Sequence, residues 1–457
     1  MKKSILSVAA ALALPVLADP TVGSVSLSVN DDKSVVEISY TLSGEAAVVT
    51  VDIQTNALAD ATGEWVSIGG EGTGVLGGYA NRLVETVDTP VKAYWFPNKS
   101  FPDRQLAAGQ LKAVVTAWPK AYPPDYMVVN LTSPTNVVRF YTSTNALPGG
   151  FANLDYKTTK LLMRKIPAKN VVWRMGLKDG YDDKKGKSDE GVYNTLHYVL
   201  LTEDYYIGVF EVTVGQYNLF GTQTSRLSFT DQVDADFLPA QRMTYTSLRG
   251  TTETAPCQYM WPESGHTVKA GSTLDNLRKI CGIADVDLPT EAQWEYAGHG
   301  GTGTPFYTGK TWSDAELNRI SCNPNNASHV VYLKDGTSKT RSCPRPVGSY
   351  PPNDFGLYDI LGNVSEFCLD RNKSNDAAGA ADYQSNFQPG WESGAVTTNP
   401  VSCTDTSVAR ACKRGGAWLD ELRLNQVGFR NLAGLTWTGD NGYIGFRLCC
   451  SVTAAVK

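Results

Sequence analysis

The stretch from Cys412 to Asn425 reads CKRGGAWLDELRLN. A glycine pair lets the backbone pass close to a neighbour, a tryptophan anchors the turn, and Asp420, Glu421, Arg423 and Asn425 follow at once. Such groups can do chemistry, contact a polar ligand, or cover a surface. A second stretch, LTWTGDNGY from Leu435 to Tyr443, mixes aromatic, hydroxyl and amide groups that suit a polar ligand. Trp437, Asp440 and Asn441 are its candidate contacts. A third, DILGNVSE, places Asp359 and Glu366 either side of a glycine. From spacing alone, Asp359 caps the turn and Glu366 pairs with an arginine, or both help to hold a cation.

Other reactive side chains are scattered. The four histidines, His197, His266, His299 and His329, show no i, i+4 pairing, and no CxxC pair or Cys/His cluster suggests zinc. All nine cysteines lie at or beyond Cys257. The first residues, MKKSILSVAAALALPVLADP, have the lysine, apolar and small-residue order of a secretory signal, with cleavage expected after Ala18. The protein is therefore expected to be secreted, periplasmic or on the cell surface. Export makes the cysteines candidates for disulfides, with connectivity left open and at least one thiol unpaired. The apolar run from Ile5 to Leu17 is too short to span a bilayer, and no later segment comes closer. A net charge of −5, with no strong Lys/Arg run, argues against a nucleic-acid partner.

The elements that must position these residues fall into two regions. A length of 457 residues allows two or three domains. Up to Ala146 the chain reads as short alternating strands. Val25, Leu27 and Val29 form one, Val36, Ile38, Tyr40 and Leu42 a second, and AVVTVDIQT, LKAVVTAW and MVVNLTS supply more. This spacing argues for an antiparallel, immunoglobulin-like β-sandwich over 19–146. Pro148, Gly149 and Gly150 mark a linker over 147–160. Beyond it, a loop-rich domain over 161–457 contains few helix signals. Thr290 and Gln293 form a capping box, Ser313 and Glu316 repeat it, and Ser272 to Cys281 reads helical. The whole is an α+β chain.

Six phrases in order resemble the formylglycine-generating enzymes, or sulfatase-modifying factors. They are MRKIPAKNVVWRMG, YYIGVFEVTVGQYNLF, DLPTEAQWEYAGHGG, PVGSYPPNDFGLYDILGNVSEF, RGGAW and IGFRL, running from Met163 to Leu448. The resemblance implies a C-type-lectin-like fold. It also implies two copper-binding cysteines two and seven residues after the RGG-small-aromatic turn, which oxidise a substrate cysteine. Counted from Trp418, those places hold Asp420 and Asn425. Copper(I) is soft and wants thiolates, so no copper is expected. The resemblance further implies a structural Ca2+ on the side chains of Asp359 and Glu366 and the carbonyls of Gly362 and Val364. A second family calcium site would fall on Asn318 and Arg319, with Asp335.

The leading expectation is an exported, non-catalytic binding or scaffold protein whose cleft holds a glycan, peptide or protein ligand. One rival is an oxidase that matures sulfatases by converting cysteine to formylglycine. A second is a ligand-binding protein of the same fold, diversified between the RGG-W and GFR phrases.

Overall fold

The computed structural model describes residues 19–31, 34–56, 63–69, 77–100, 109–133, 137–177, 196–250, 267–372, 396–401, 410–436 and 442–456. The chain forms two compact units, one over 1–68 and 75–120, the other over 69–74 and 121–457.

In the first unit, β1 (Thr21–Val22), β2 (Ser26–Val29), β3 (Val36–Ser43), β6 (Gly77–Gly78) and β8 (Pro90–Trp95) make one antiparallel sheet. A second sheet joins β4 (Ala47–Asn56), β5 (Trp65–Ser67), β7 (Arg82–Val84) and β9 (Leu111–Pro119). Alternation explains the arrangement. Val36, Ile38, Tyr40 and Leu42 of β3 meet Ala47, Val49, Val51 and Ile53 of β4 in one core, completed by Trp95. The two sheets thus bury one face each against the other.

The boundary falls after Lys120, earlier than the strand pattern suggests. MVVNLTS supplies β10 (Tyr126–Asn130), which pairs with β11 (Val138–Tyr141) on one edge and β12 (Lys160–Ile166) on the other. It therefore belongs to the second unit. The expected linker is also built in, because Leu147 and Tyr156 are buried there among Tyr126, Leu162 and Phe210.

The same sheet continues through β15 (Tyr205–Gly208) to β23 (Cys449–Ser451). Around it lie β13 (Val171–Met175) with β14 (His197–Leu201) and β19 (Val396–Thr398), and the hairpin of β16 (Ser328–Tyr332) and β17 (Ser338–Ser342). The sheet that carries the site orders β21 (Asn431–Gly434), β20 (Arg410–Arg414), β18 (Ser365–Asn372) and β22 (Ile444–Gly445).

Helices are short. Helix α1 (Val214–Phe220) starts on a Thr213/Gln216 capping box. Helix α2 (Tyr245–Arg249) precedes α3 (Thr273–Cys281), which opens on Ser272 as its sequence indicates. Helix α4 (Glu291–His299) has the expected reciprocal cap, with Gln293 N–H donating to Thr290 Oγ1 and Thr290 N–H to Gln293 Oε1. Nearly all of α4 is buried, with Trp294 at the centre of the main core. At α5 (Asp314–Ile320) only half of the predicted box forms. Ser313 Oγ accepts from Glu316 N–H, while the Glu316 carboxylate turns to Arg319 and Lys310.

The expected disulfides do not appear among the described residues. Cys281, Cys322, Cys343, Cys368, Cys412, Cys449 and Cys450 are all buried free thiols, and no disulfide occurs among the described residues. They act as small core side chains, and burial pushes the thiols of Cys368, Cys412, Cys449 and Cys450 well above their ordinary range. Cys257 and Cys403 lie outside the described residues.

Candidate functional site

Strand β20 ends in the glycine pair, and both glycines are needed. Gly415 and Gly416 have φ of 88° and 70°. A Cβ on Gly415 would sit 2.8 Å from the Ile360 carbonyl oxygen, and one on Gly416 would sit 2.6 Å from Asn425 Cγ. The turn is stitched to the Asp359 loop, since Gly362 N–H donates to Gly415 O at 2.9 Å and Trp418 N–H to Asn363 O at 3.0 Å.

The two positions after the turn face different surroundings. Asp420 is buried, and its Oδ2 accepts from Ser365 Oγ at 2.7 Å and from Lys413 Nζ at 3.3 Å. Lys413 Nζ also lies 3.4 Å from Ser365 Oγ and 4.7 Å from the Tyr443 ring centroid. Burial lowers the pKa of Lys413 below the ordinary lysine value, and Asp420 draws it partly back. Asn425 is fully buried, and its Nδ2 donates to the carbonyls of Glu421 and Leu422 at 3.3 and 3.5 Å. Asn425 Oδ1 has no hydrogen-bond partner among the described residues. Glu421 is exposed and accepts from Arg423 Nε at 2.7 Å, a rim pair of little energetic weight. Trp437, Asp440 and Asn441 lie outside the described residues.

The Asp359 loop leads into β18 beside this turn. Asp359 has φ 53°, and its Oδ2 accepts from Gly348 N–H at 2.6 Å, whereas its buried Oδ1 has no hydrogen-bond partner among the described residues. Glu366 takes the arginine expected from spacing. Arg447 donates through Nε to Oε2 and through Nη2 to Oε1, each at 2.6 Å, and Trp294 Nε1 also donates to Oε2 at 2.6 Å. A third carboxylate, Glu211, accepts from Asn363 Nδ2 at 2.6 Å and Val364 N–H at 3.0 Å. Burial first, then the neighbouring carboxylates, pushes Glu211 well above the ordinary glutamate value. Burial likewise raises Asp359 to about 6, against the pull of Gly348 N–H, Arg447 and Lys157.

Asp359 Oδ1 is a bare hard oxygen, the donor type that a hard cation takes. Glu366 must share its oxygens with Arg447 and Trp294. No group of three His, Cys, Asp or Glu side chains is gathered for a metal among the described residues. At the second site, Asn318 Oδ1 accepts from Asn325 at 3.3 Å, and Asp335 Oδ1 from Thr337 N–H at 2.9 Å.

A second buried charge group surrounds α4. Arg414 Nη2 reaches Glu291 at 2.5 Å and Glu295 at 2.8 Å, and Arg430 also pairs with Glu291. Burial alone would raise Glu295. Arg414, His299 and the Gly176 N–H together outweigh it and hold the carboxyl at about 2. Trp294, Phe446 and Trp418 are buried core residues. Lys413, Ser365 and Glu211 are the residues that sequence reasoning passed over. A lysine directly before RGG on a buried strand was the available signal.

The fold and site together define a loop-rich domain whose RGG turn is held against a carboxylate loop. A family model described as "Sulfatase-modifying factor enzyme 1-like domain" matches residues 165–452, and the chain belongs to this FGE-sulfatase family. It is 32% identical over 165 residues to a formylglycine-generating enzyme of Streptomyces coelicolor, covering 35% of this chain and 45% of that protein. A Mycobacterium tuberculosis formylglycine-generating enzyme is 40% identical over 81 residues, covering 18% of this chain and 25% of its own. A Bos taurus protein named inactive C-alpha-formylglycine-generating enzyme 2 is 32% identical over 104 residues, covering 22% and 32%. The chain thus spans less than half the length of these relatives. Among solved structures it is similar to Treponema denticola variable protein 1, at 21% identity and TM-score 0.42, over 64% of this chain and 96% of that one. PvdO from Pseudomonas aeruginosa gives 22% identity and TM-score 0.41, over 64% and 94%.

Proposed function

We propose that this chain is an exported, non-catalytic binding or scaffold protein. Its first unit is an immunoglobulin-like spacer, and its second is a sulfatase-modifying-factor domain that serves as a binding module. The observation that carries this reading is the grip of Ser365 and Lys413 on Asp420, at a position where the family resemblance implies a metal-binding cysteine. A thiolate is both soft ligand and route for electrons, and a carboxylate paired with an ammonium is neither. Asn425, at the other position, offers only an amide oxygen. The name of the bovine relative supports the same reading. Glu421, Arg423 and the Leu435–Tyr443 loop would form the ligand rim, facing a glycan, peptide or protein.

Export rests on the N-terminal pattern of lysines, apolar run and small residues. No helix among the described residues is long and apolar enough to cross a membrane. Calcium belongs to the proposal as a structural ion on Asp359 and the Gly362 and Val364 carbonyls, with Glu366.

The test incubates purified protein, copper and oxygen with a sulfatase-type cysteine peptide and looks for the aldehyde by mass spectrometry. The expected result is no turnover above a metal-only control. Turnover would refute the non-catalytic reading and restore the oxidase.

A further inference from the structure

Of the buried thiols among the described residues, Cys343 alone meets an imidazole. Its Sγ lies 3.8 Å from His329 Nε2. His329 Nδ1 lies 2.8 Å from the Ala327 carbonyl oxygen, which can only accept. Nδ1 therefore carries the proton, and in the neutral ring Nε2 turns its lone pair to the thiol. A backbone carbonyl on the other ring nitrogen is the support that metal-binding histidines commonly have.

The third member is Gln232. It is fully buried, its Nε2 is 3.5 Å from Cys343 Sγ, and its Oε1 has no hydrogen-bond partner among the described residues. A buried amide oxygen left over is costly. Rotation of the amide about Cγ–Cδ exchanges Oε1 with Nε2 and sets an oxygen donor beside the sulfur.

Backbone pairing fixes the three side chains. His329 lies on β16, and Cys343 follows β17, where its N–H extends the ladder to Ala327 O at 3.4 Å. On the other edge of β16, Val233 N–H donates to Tyr332 O at 3.0 Å and Lys334 N–H to Asp231 O at 2.9 Å, which brings Gln232 opposite Leu333. The two partners of Cys343 are 14 and 111 residues away in the chain, so no local Cys/His spacing announces the group.

The separations suit one tetrahedral ion. With about 2.3 Å to sulfur and about 2.1 Å to nitrogen or oxygen, tetrahedral donors stand about 3.5 Å apart. The thiol–amide distance meets that value, and the thiol–imidazole distance opens the angle to about 120°. We propose that Cys343, His329 and Gln232 bind a thiophilic divalent cation of the zinc class. The thiolate, the imidazole and the amide oxygen supply three donors, and water completes the four. His329 lines a groove of about 610 Å³ between β16 and the loop from Arg345 to Tyr350, which gives the ion its way in.

The charges around the site are mixed. Burial pushes the Cys343 thiol up, and the Gln232 amide, Arg341 and Arg345 draw it partly back, against Asp234. Asp231 takes up the Arg341 charge through two bonds of 2.7 and 2.9 Å, which softens its repulsion of a cation. A bound ion would favour the thiolate that burial opposes, with the thiol proton released to water. The site uses no residue of the Asp359 loop or of the Asp420–Asn425 wall, so it goes beyond the non-catalytic reading and is independent of it.

The test titrates the full chain, reduced and stripped with chelator, with cobalt(II), whose thiolate charge-transfer absorption reports a sulfur ligand. The band should saturate at about one equivalent and vanish as zinc(II) displaces the cobalt. His329→Gln, at a half-buried strand position, should weaken cobalt binding by about tenfold or more, and Gln232→Met by less. Cys343→Ser should remove the band. Near-UV circular dichroism of each metal-free variant checks the fold, and His329→Gln carries the test if Cys343→Ser does not fold. No saturable band in the wild type, or a band unchanged in His329→Gln, would overturn the proposal. A band that survives in Cys343→Ser would also overturn it, since another thiol would then be the ligand. The aldehyde assay reads none of these residues, so the two proposals fail separately.

Discussion

Two buried charge groups lie within the second unit, and their balance differs. Around α4, Glu291 and Glu295 face Arg414 and Arg430, with His299 at hand, and Glu295 is held at about 2. Beside the Asp359 loop, Glu211, Asp359 and Glu366 share Arg447, with Lys157 acting on Asp359 from a distance, and both Glu211 and Asp359 are pushed up. Both groups are buried, so burial is common to them. The difference is the ratio of guanidinium to carboxylate. A balanced group stores its charges as ion pairs. A group with surplus carboxylate favours the protonated form, and one oxygen of Asp359 has no hydrogen-bond partner among the described residues.

The sharpest way to break this comparison is to remove one arginine from each group. Arg447→Met leaves Glu366 buried without its charge partner and should cost about 3–5 kcal/mol by urea denaturation. Arg430→Met leaves Glu291 paired with Arg414 and should cost clearly less. Equal losses would mean that the two groups do not differ in balance.

The next effect is on pH. Asp359 is raised in the folded state to about 6, so folding favours its protonated form. Its penalty is absent below the ordinary aspartate range and grows as pH rises towards 6. In chelator, stability should therefore fall across about pH 4 to 6, by up to about 3 kcal/mol, and Asp359→Asn should flatten that limb. Glu295 has the opposite sign. Its stabilisation is full above the ordinary glutamate value and is lost as pH falls towards 2. Melting curves of Asp359→Asn and Glu295→Gln across pH should separate the two limbs.

Calcium comes third. At a hundredfold excess over its dissociation constant it should add about 2.7 kcal/mol, read as a rise in melting temperature that chelator reverses. Asp359→Asn should abolish the rise. Equal midpoints with calcium and chelator, with no metal by elemental analysis, would leave the carboxylates as purely structural groups. The smallest effect belongs to the rim. Glu421→Ala should change stability by less than about 0.5 kcal/mol, since its pair with Arg423 is exposed.

Local signals in the sequence carried well. The alternation of Val36 to Leu42 and the Thr290 cap depend on neighbours in the chain, and both appear as read. The family phrases located the RGG turn and the carboxylate loop. What stayed hidden was long-range pairing. Lys413 lies 48 residues from Ser365, and Glu211 lies 152 residues from its Asn363 partner, so neither contact has a local trace. Tyr126–Asn130 has the same period as a sandwich strand, and only its partners place it in the second unit. The cysteines were read from compartment, whereas each described thiol is buried as a small apolar group.

The central claim is that the Asp420–Asn425 wall holds no copper. The most direct measurement is a crystal structure of protein treated with copper(I) under reducing conditions, with anomalous data collected at the copper edge. The account predicts no copper peak between Asp420 and Asn425, with Asp420 still bonded to Ser365 and Lys413. An ordered copper ion at that position, with Asp420 turned away from Lys413 to meet it, would contradict the account.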